Sequence, residues 1–130
     1  MRALLLGLAA TALLALPASA QIAAPDIAGV SVAQSDAMAS NLIGLDIHNA
    51  ANEDVGEIKD LVLDSSLKVK GLVLSVGGFL GLGDRYVVVP SDALNMRFDA
   101  NAKKWIGTTA LSRDQIKGLP AFTYEGKFDN

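Results

Sequence analysis

Val69-Lys70-Gly71-Leu72-Val73-Leu74-Ser75-Val76-Gly77-Gly78-Phe79-Leu80-Gly81-Leu82-Gly83-Asp84-Arg85-Tyr86-Val87-Val88-Val89-Pro90 is the stretch that decides the fold. Two runs rich in β-branched residues flank a glycine-rich connector, and Pro90 closes the second run. β-Branched side chains suit a pleated surface, and proline cannot donate to a ladder, so each run reads as a strand that ends where the composition changes. Gly71 to Val76 is apolar on both faces of such a strand. A small open sheet would leave one of those faces wet. Closure into a barrel, or covering by another segment or subunit, solves the problem.

The residues before this stretch continue the pattern. Asp64-Ser65-Ser66 separates it from a run over Val55 to Leu63, and the two runs predict a hairpin. Ile58 faces one way in the earlier run, while Leu61 and Leu63 have the opposite parity. A bulge near Lys59-Asp60 returns both leucines to the core, with Asp60 accepting backbone amides there. Leu42 to His48 alternates loosely as a further strand, and Asn49 to Asp54 is a polar turn cluster.

Downstream, Asn95 to Phe98 and Lys104 to Thr108 form a second hairpin around Asp99-Ala100-Asn101, with Phe98 and Trp105 positioned to meet across it. Ser112 and Gln115 carry the spacing of a capping box. Gly118 and Pro120 supply the stop, so one short helix is expected between them. Strands at this density indicate an all-β barrel or sandwich.

The first twenty residues read as an export leader. Arg2 provides a basic start, Leu4 to Leu16 is apolar, and Pro17-Ala18-Ser19-Ala20 ends in an Ala-x-Ala triplet. The apolar run is shorter than the roughly 20 residues that a membrane-spanning helix requires. Cleavage between Ala20 and Gln21 is expected, giving a periplasmic or secreted mature chain that does not span the membrane. Residues 21–40 are rich in Ala and Ser and read as a flexible linker, with a short helix over Ala33 to Ser40 as a variant. The domain proper is expected over residues 41–130.

Composition narrows the function. Loss of the leader removes Arg2 from the 11 basic residues and none of the 14 acidic ones, leaving 10 against 14 and a net charge of −4. Basic residues are scattered among acids, which disfavours nucleic acid, because affinity for it rests on clustered Lys and Arg. The chain has no cysteine, so disulfides, thiolate nucleophiles and Cys-ligated metals are excluded. Hydrophobic residues make up 51% and aromatics only 5%, a supply of Val, Leu, Ile and Ala sufficient for one core.

Candidate chemistry is sparse. The connector Gly77 to Gly83 feeds a strand rather than a helix and lacks a Lys-Ser or Lys-Thr pair, so it does not read as a phosphate loop. Phe79, Leu80 and Leu82 either fold back as a lid on the barrel or project as an apolar tip that marks a contact site. His48 is the sole histidine and has no recognisable nucleophile spacing around it. Asp46, Glu53, Asp54, Glu57, Asp60 and Asp64 are concentrated in the first two strands. They lack calcium-loop spacing and read as a solvated face. No catalytic residue, cofactor or metal site is expected.

From Leu42 to Phe122 the chain resembles the PRC-barrel domain, a family named for the photosynthetic reaction-centre H subunit and shared with the C-terminal domain of a ribosome-maturation factor. The residues that carry the resemblance are Gly44, the run Val55 to Asp64, the run Val69 to Gly83, Tyr86-Val87-Val88-Val89-Pro90, and Leu111 with Leu119-Pro120-Ala121-Phe122. The resemblance implies a small, mostly antiparallel β-barrel that works as a docking or assembly module, with no family catalytic residues to transfer. The family's best-understood members act at the cytoplasmic side or in ribosome assembly. An exported chain that stands alone inherits no particular partner from them.

The expectation is therefore a non-enzymatic exported barrel that binds another protein or itself through Phe79, Leu80, Leu82, Arg85 and Tyr86. The rival is a periplasmic small-ligand carrier or hydrolase, which requires a cleft shared by Asp46, His48, Asp60 and Asp64.

Overall fold

The computed structural model describes residues 26–77 and 85–129, together with residues 7, 12, 14, 15 and 24. The cleavage pair Ala20-Gln21 and nearly all of the expected leader lie outside the described residues. The chain divides into the units Met1–Ser31 and Val32–Asn130. The described residues of the first carry no helix or strand. The second holds the sheet.

That unit runs α1 (Ala39–Leu42), β1 (Asp46–His48), β2 (Asp54–Leu63), β3 (Val69–Val76), β4 (Arg85–Pro90), β5 (Leu94–Asp99), β6 (Lys104–Thr109), α2 (Arg113–Lys117) and β7 (Ala121–Phe122). A 3₁₀ turn at Ser91–Ala93 links β4 to β5, and another at Gly126–Phe128 ends the described chain. The seven strands form one sheet in the order β5-β6-β1-β2-β3-β4-β7. All pairings are antiparallel except β1 with β6, where Ile47 faces Gly107 and His48 faces Thr108 in parallel.

The structure corrects three expectations. The sheet is mostly β as expected but is not a closed barrel: among the described residues, β5 and β7 remain its two ends. β7 has only two residues and follows Pro120, which has no N–H to offer a further strand. Helix α2 covers the core face instead, with Ile116 at 0% exposure among Ile47, Ile58, Leu74, Val87 and Val89. The expected strand from Leu42 is shorter, because α1 takes up Leu42 and Gly44 turns the chain at a φ of +89° before β1 starts. The fold also has a second α-helix, since α1 precedes the sheet while α2 is the expected C-terminal one.

The predicted bulge is present. Ile58 pairs with Leu74 and Asp60 with Val73, leaving Lys59 as the extra residue. The shift places Leu61 opposite Leu72, on the same side as Ile58 and Leu74, and Leu61 packs against the core. A second irregularity between Val62 and Leu63 undoes the effect for Leu63, which is 47% exposed rather than buried.

The double-sided character of β3 also has its structural counterpart. Leu72, Leu74 and Val76 belong to the main core. Val73 points the other way and is still only 2% exposed.

Candidate functional site

The connector of residues 77–84 leaves the sheet at the end of the β3–β4 hairpin, where Val76 pairs with Arg85 and Ser75 with Tyr86. Phe79, Leu80 and Leu82 lie outside the described residues, so the choice between lid and tip rests on their sequence. Arg85 and Tyr86, the other two residues expected there, sit at its base. Arg85 is exposed, and its guanidinium donates to the carbonyl of Lys117 at 2.7 Å and to that of Leu119. The last carbonyls of a helix have no partner within it. Arg85 supplies one and fixes the end of α2 to the start of β4. It acts as a positioning residue.

Tyr86 takes part in a cluster on the outer face of the sheet, away from the core. Its ring meets Tyr124 edge-on at 5.7 Å, Tyr124 meets Phe122 at 5.0 Å, and Phe122 meets Phe128 at 6.3 Å. Such edge-to-face pairs contribute beyond the area they bury. A shallow hollow lined by Arg85, Tyr86, Ala121, Phe122, Thr123 and Tyr124 opens beside the cluster. On the other side of the connector's base a second hollow is lined by Val55, Gly56, Val76, Gly77, Arg113 and Lys117, among others. Arg113 is held there by donating to the carbonyl of Asp54 at 2.9 Å. The sheet end that launches the connector thus carries aromatic rings with Arg85 on one flank and Arg113 with Lys117 on the other.

Tyr124 donates from its hydroxyl to Asp60 Oδ2 at 3.2 Å, while Asp60 Oδ1 accepts the N–H of Leu61 at 2.8 Å. Asp60 is therefore the amide-accepting bulge residue the sequence suggested, and it also anchors the tail. Burial first, and then the charge and hydrogen bond of Asp60, push the Tyr124 phenol up to about 12.

Most of the other acids are committed to turns. Asp54 Oδ1 accepts the N–H of Gly56 at 3.0 Å, and Asp64 Oδ1 accepts those of Ser66 and Lys68 at 2.8 and 3.1 Å. Glu53 Oε2 accepts from the Asn49 side-chain amide at 2.9 Å. Asp46 and His48 line one hollow with Asn52, Lys104 and Trp105, but Asp60 and Asp64 are not part of it. The cleft that a hydrolase or carrier was expected to need does not bring its four residues together. Among the described residues no group of three His, Asp or Glu side chains is placed to hold a metal ion. None of the described helices is long and apolar enough to cross a membrane.

The aromatic tail is the part that the sequence reading missed. Its signal was present: Phe122-Thr123-Tyr124 alternates in the manner of a strand, and the last nine residues hold three of the six Phe and Tyr side chains. At the opposite sheet end Phe98 and Trp105 pair directly across the β5–β6 hairpin, with ring centroids 5.5 Å apart, as expected. Asp99 closes that hairpin by accepting the N–H groups of Ala102 and Asn101, which hold its carboxyl below the usual range.

Fold and surface together define a small β-domain of seven strands, one face closed by a helix and the other by an aromatic tail. The PRC-barrel domain model matches residues 36–115, and the chain belongs to that family. No curated protein matches the chain. Residues after 115, including β7 and the aromatic tail, lie beyond the family match.

Proposed function

We propose that this chain is an exported, non-enzymatic β-module that docks on another protein of the cell envelope, using the sheet end from which the 77–84 connector leaves. The observation that carries the reading is the composition of that end. An apolar, glycine-rich connector (Phe79, Leu80, Leu82) springs from a base framed by Tyr86, Phe122 and Tyr124 on one flank and by Arg113 on the other. Aromatic and arginine side chains are the types that dominate binding energy at protein interfaces. Arg85 contributes by holding α2 and β4 in one arrangement, which reduces the ordering cost of association.

Two further features support the reading. Asp54, Asp60 and Asp64 are engaged by backbone amides, a structural employment rather than a reactive one. The leader, with its basic start, apolar middle and Ala-x-Ala end, supports export.

The test is crosslinking in intact cells followed by mass spectrometry. Leu80→Asp and Leu82→Asp should each remove the specific adduct while leaving the circular dichroism spectrum and denaturation midpoint unchanged. Adducts retained in both variants would refute the docking site. Export is tested by the N-terminal residue of the protein recovered from cells, which should be Gln21.

A further inference from the structure

The β2–β3 hairpin ends in a tip where every residue from 63 to 70 is exposed. The tip lies at the opposite end of β3 from the connector, roughly 24 Å away at the usual strand rise. Three large apolar side chains stand on it. Leu67 is 78% exposed, and Leu63 and Val69, also exposed, are paired across the two strands. Leu67 further holds a φ of +64°, the left-handed region that leucine adopts only at a cost. Exposure and strain both count against leucine here, and packing offsets little of either. A side chain held in this way points to a role other than stability.

The turn beneath Leu67 is fixed, and its polar groups are largely used. The N–H of Asp64 donates to the Lys68 carbonyl at 2.9 Å, and that of Leu67 donates to the Asp64 carbonyl at 3.0 Å. Asp64 Oδ1 accepts the N–H groups of Ser66 and Lys68. Four backbone donors are thus satisfied inside the turn, so the tip can enter a water-poor medium without leaving them bare. The same bonds turn the Asp64 carboxylate onto the backbone. Lys68 and Lys70 are exposed beside the apolar side chains. Two lysines against one aspartate give the tip a charge of 2 − 1 = +1, on a chain whose net charge is −3.

An apolar tip flanked by lysines is complementary to an anionic lipid surface. Leucine enters the boundary between headgroups and acyl chains, while lysine stems lie along it and their ammonium groups meet the phosphates. Lysine is depleted at protein interfaces, which weighs for lipid over a protein at this tip. We infer that the 63–70 tip docks on an anionic lipid surface, with Leu67 as its leading side chain. Docking there leaves the connector free at the far end of β3. The inference does not rest on the connector's role.

The chain has no cysteine, so Ser66→Cys or Thr123→Cys carries a polarity-sensitive fluorophore at one known place, on the tip or near the connector's base. Protein recovered from cells is mixed with vesicles of phosphatidylcholine, alone or with phosphatidylglycerol added. With phosphatidylglycerol the emission at position 66 should shift to the blue, that at position 123 should not, and salt should weaken the effect. Leu67→Gly relieves the backbone, so it keeps the fold, yet it should lower vesicle binding about tenfold. Lys68→Gln and Lys70→Gln should each lower it about fivefold. Leu80→Asp, which tests the docking site, should leave it unchanged. Undiminished binding in Leu67→Gly, equal binding to the two kinds of vesicle, equal shifts at positions 66 and 123, or a discrete protein adduct captured at the tip in cells would overturn the inference.

Discussion

Gly107 shows how much of this domain depends on one missing methyl group. A Cβ there would overlap Ile47 Cδ1 and lie 3.2 Å from both Leu45 Cδ2 and Met96 Sδ. Ile47 Cδ1 is the end of a fully buried side chain, so it can give way only by pushing on its neighbours in the core. Gly107→Ala should therefore destabilise the fold by about 1–3 kcal/mol in urea denaturation, the usual cost of overpacking a filled core. Leu67 presents the opposite case. It holds a φ of +64° in the β2–β3 turn while 78% exposed, so its side chain gains little from packing and strains the backbone. Leu67→Gly should raise the denaturation midpoint, by about 0.5–1 kcal/mol once the greater freedom of glycine in the unfolded chain is subtracted. At Tyr124 the neutral phenol is the form that bonds Asp60 on the outer face of the sheet. Its pKa rises from 10.0 to about 12, so the stabilisation is complete below pH 10 and is lost as pH climbs from 10 to 12. Tyrosinate absorbance followed against stability should show this step, and Tyr124→Phe should remove it. Asp60 was legible in the sequence because a bulge displays itself as a parity change within one strand. Its bond to Tyr124 joins residues 64 apart and has no local signature.

Among the elements, α2 is the one most fully specified by its own residues. Ser112 Oγ accepts the N–H of Gln115 at 3.1 Å, and Gln115 Oε1 accepts that of Ser112 at 2.8 Å, completing the capping box expected from their spacing. Ser112→Ala should cost about 1 kcal/mol, and Ile116→Ala about 2–5 kcal/mol because it empties the centre of the core. Thermal denaturation of the two variants separates these effects, and equal losses would contradict the division between cap and core. The two hairpins, β2–β3 and β5–β6, were legible for the same reason: their turn residues and alternation are contiguous. The first strand was not. Its apolar residues continue through Leu42 and Ile43, but the turn at Gly44 assigns Leu42 to a helix and leaves Asp46–His48 as the strand. Leu63 misled in the same way, since the second irregularity of β2 depends on its partner Val69 rather than on β2's own pattern.

At the scale of the whole molecule, the need to cover both sides of β3 was readable from Gly71 to Val76, but the means of covering was not. A closed roll and an open sheet with a helix on one face and an aromatic tail on the other bury the same strand, and alternation does not distinguish them. The pairing of β1 with β6 and the ends left at β5 and β7 are set by distant parts of the chain. The arrangement leaves one sheet end carrying the connector, with rings and cationic groups around its base, and it is this end that the proposed docking uses. The most direct measurement places a photo-crosslinking residue at position 82 and, as a control, at Ser65 in the β2–β3 turn, in the protein expressed in its own cells. A discrete protein adduct from position 82, absent from Ser65 and lost when Leu80→Asp is added, is the predicted result. Equal labelling from the two positions, or an adduct indifferent to Leu80→Asp, would contradict it.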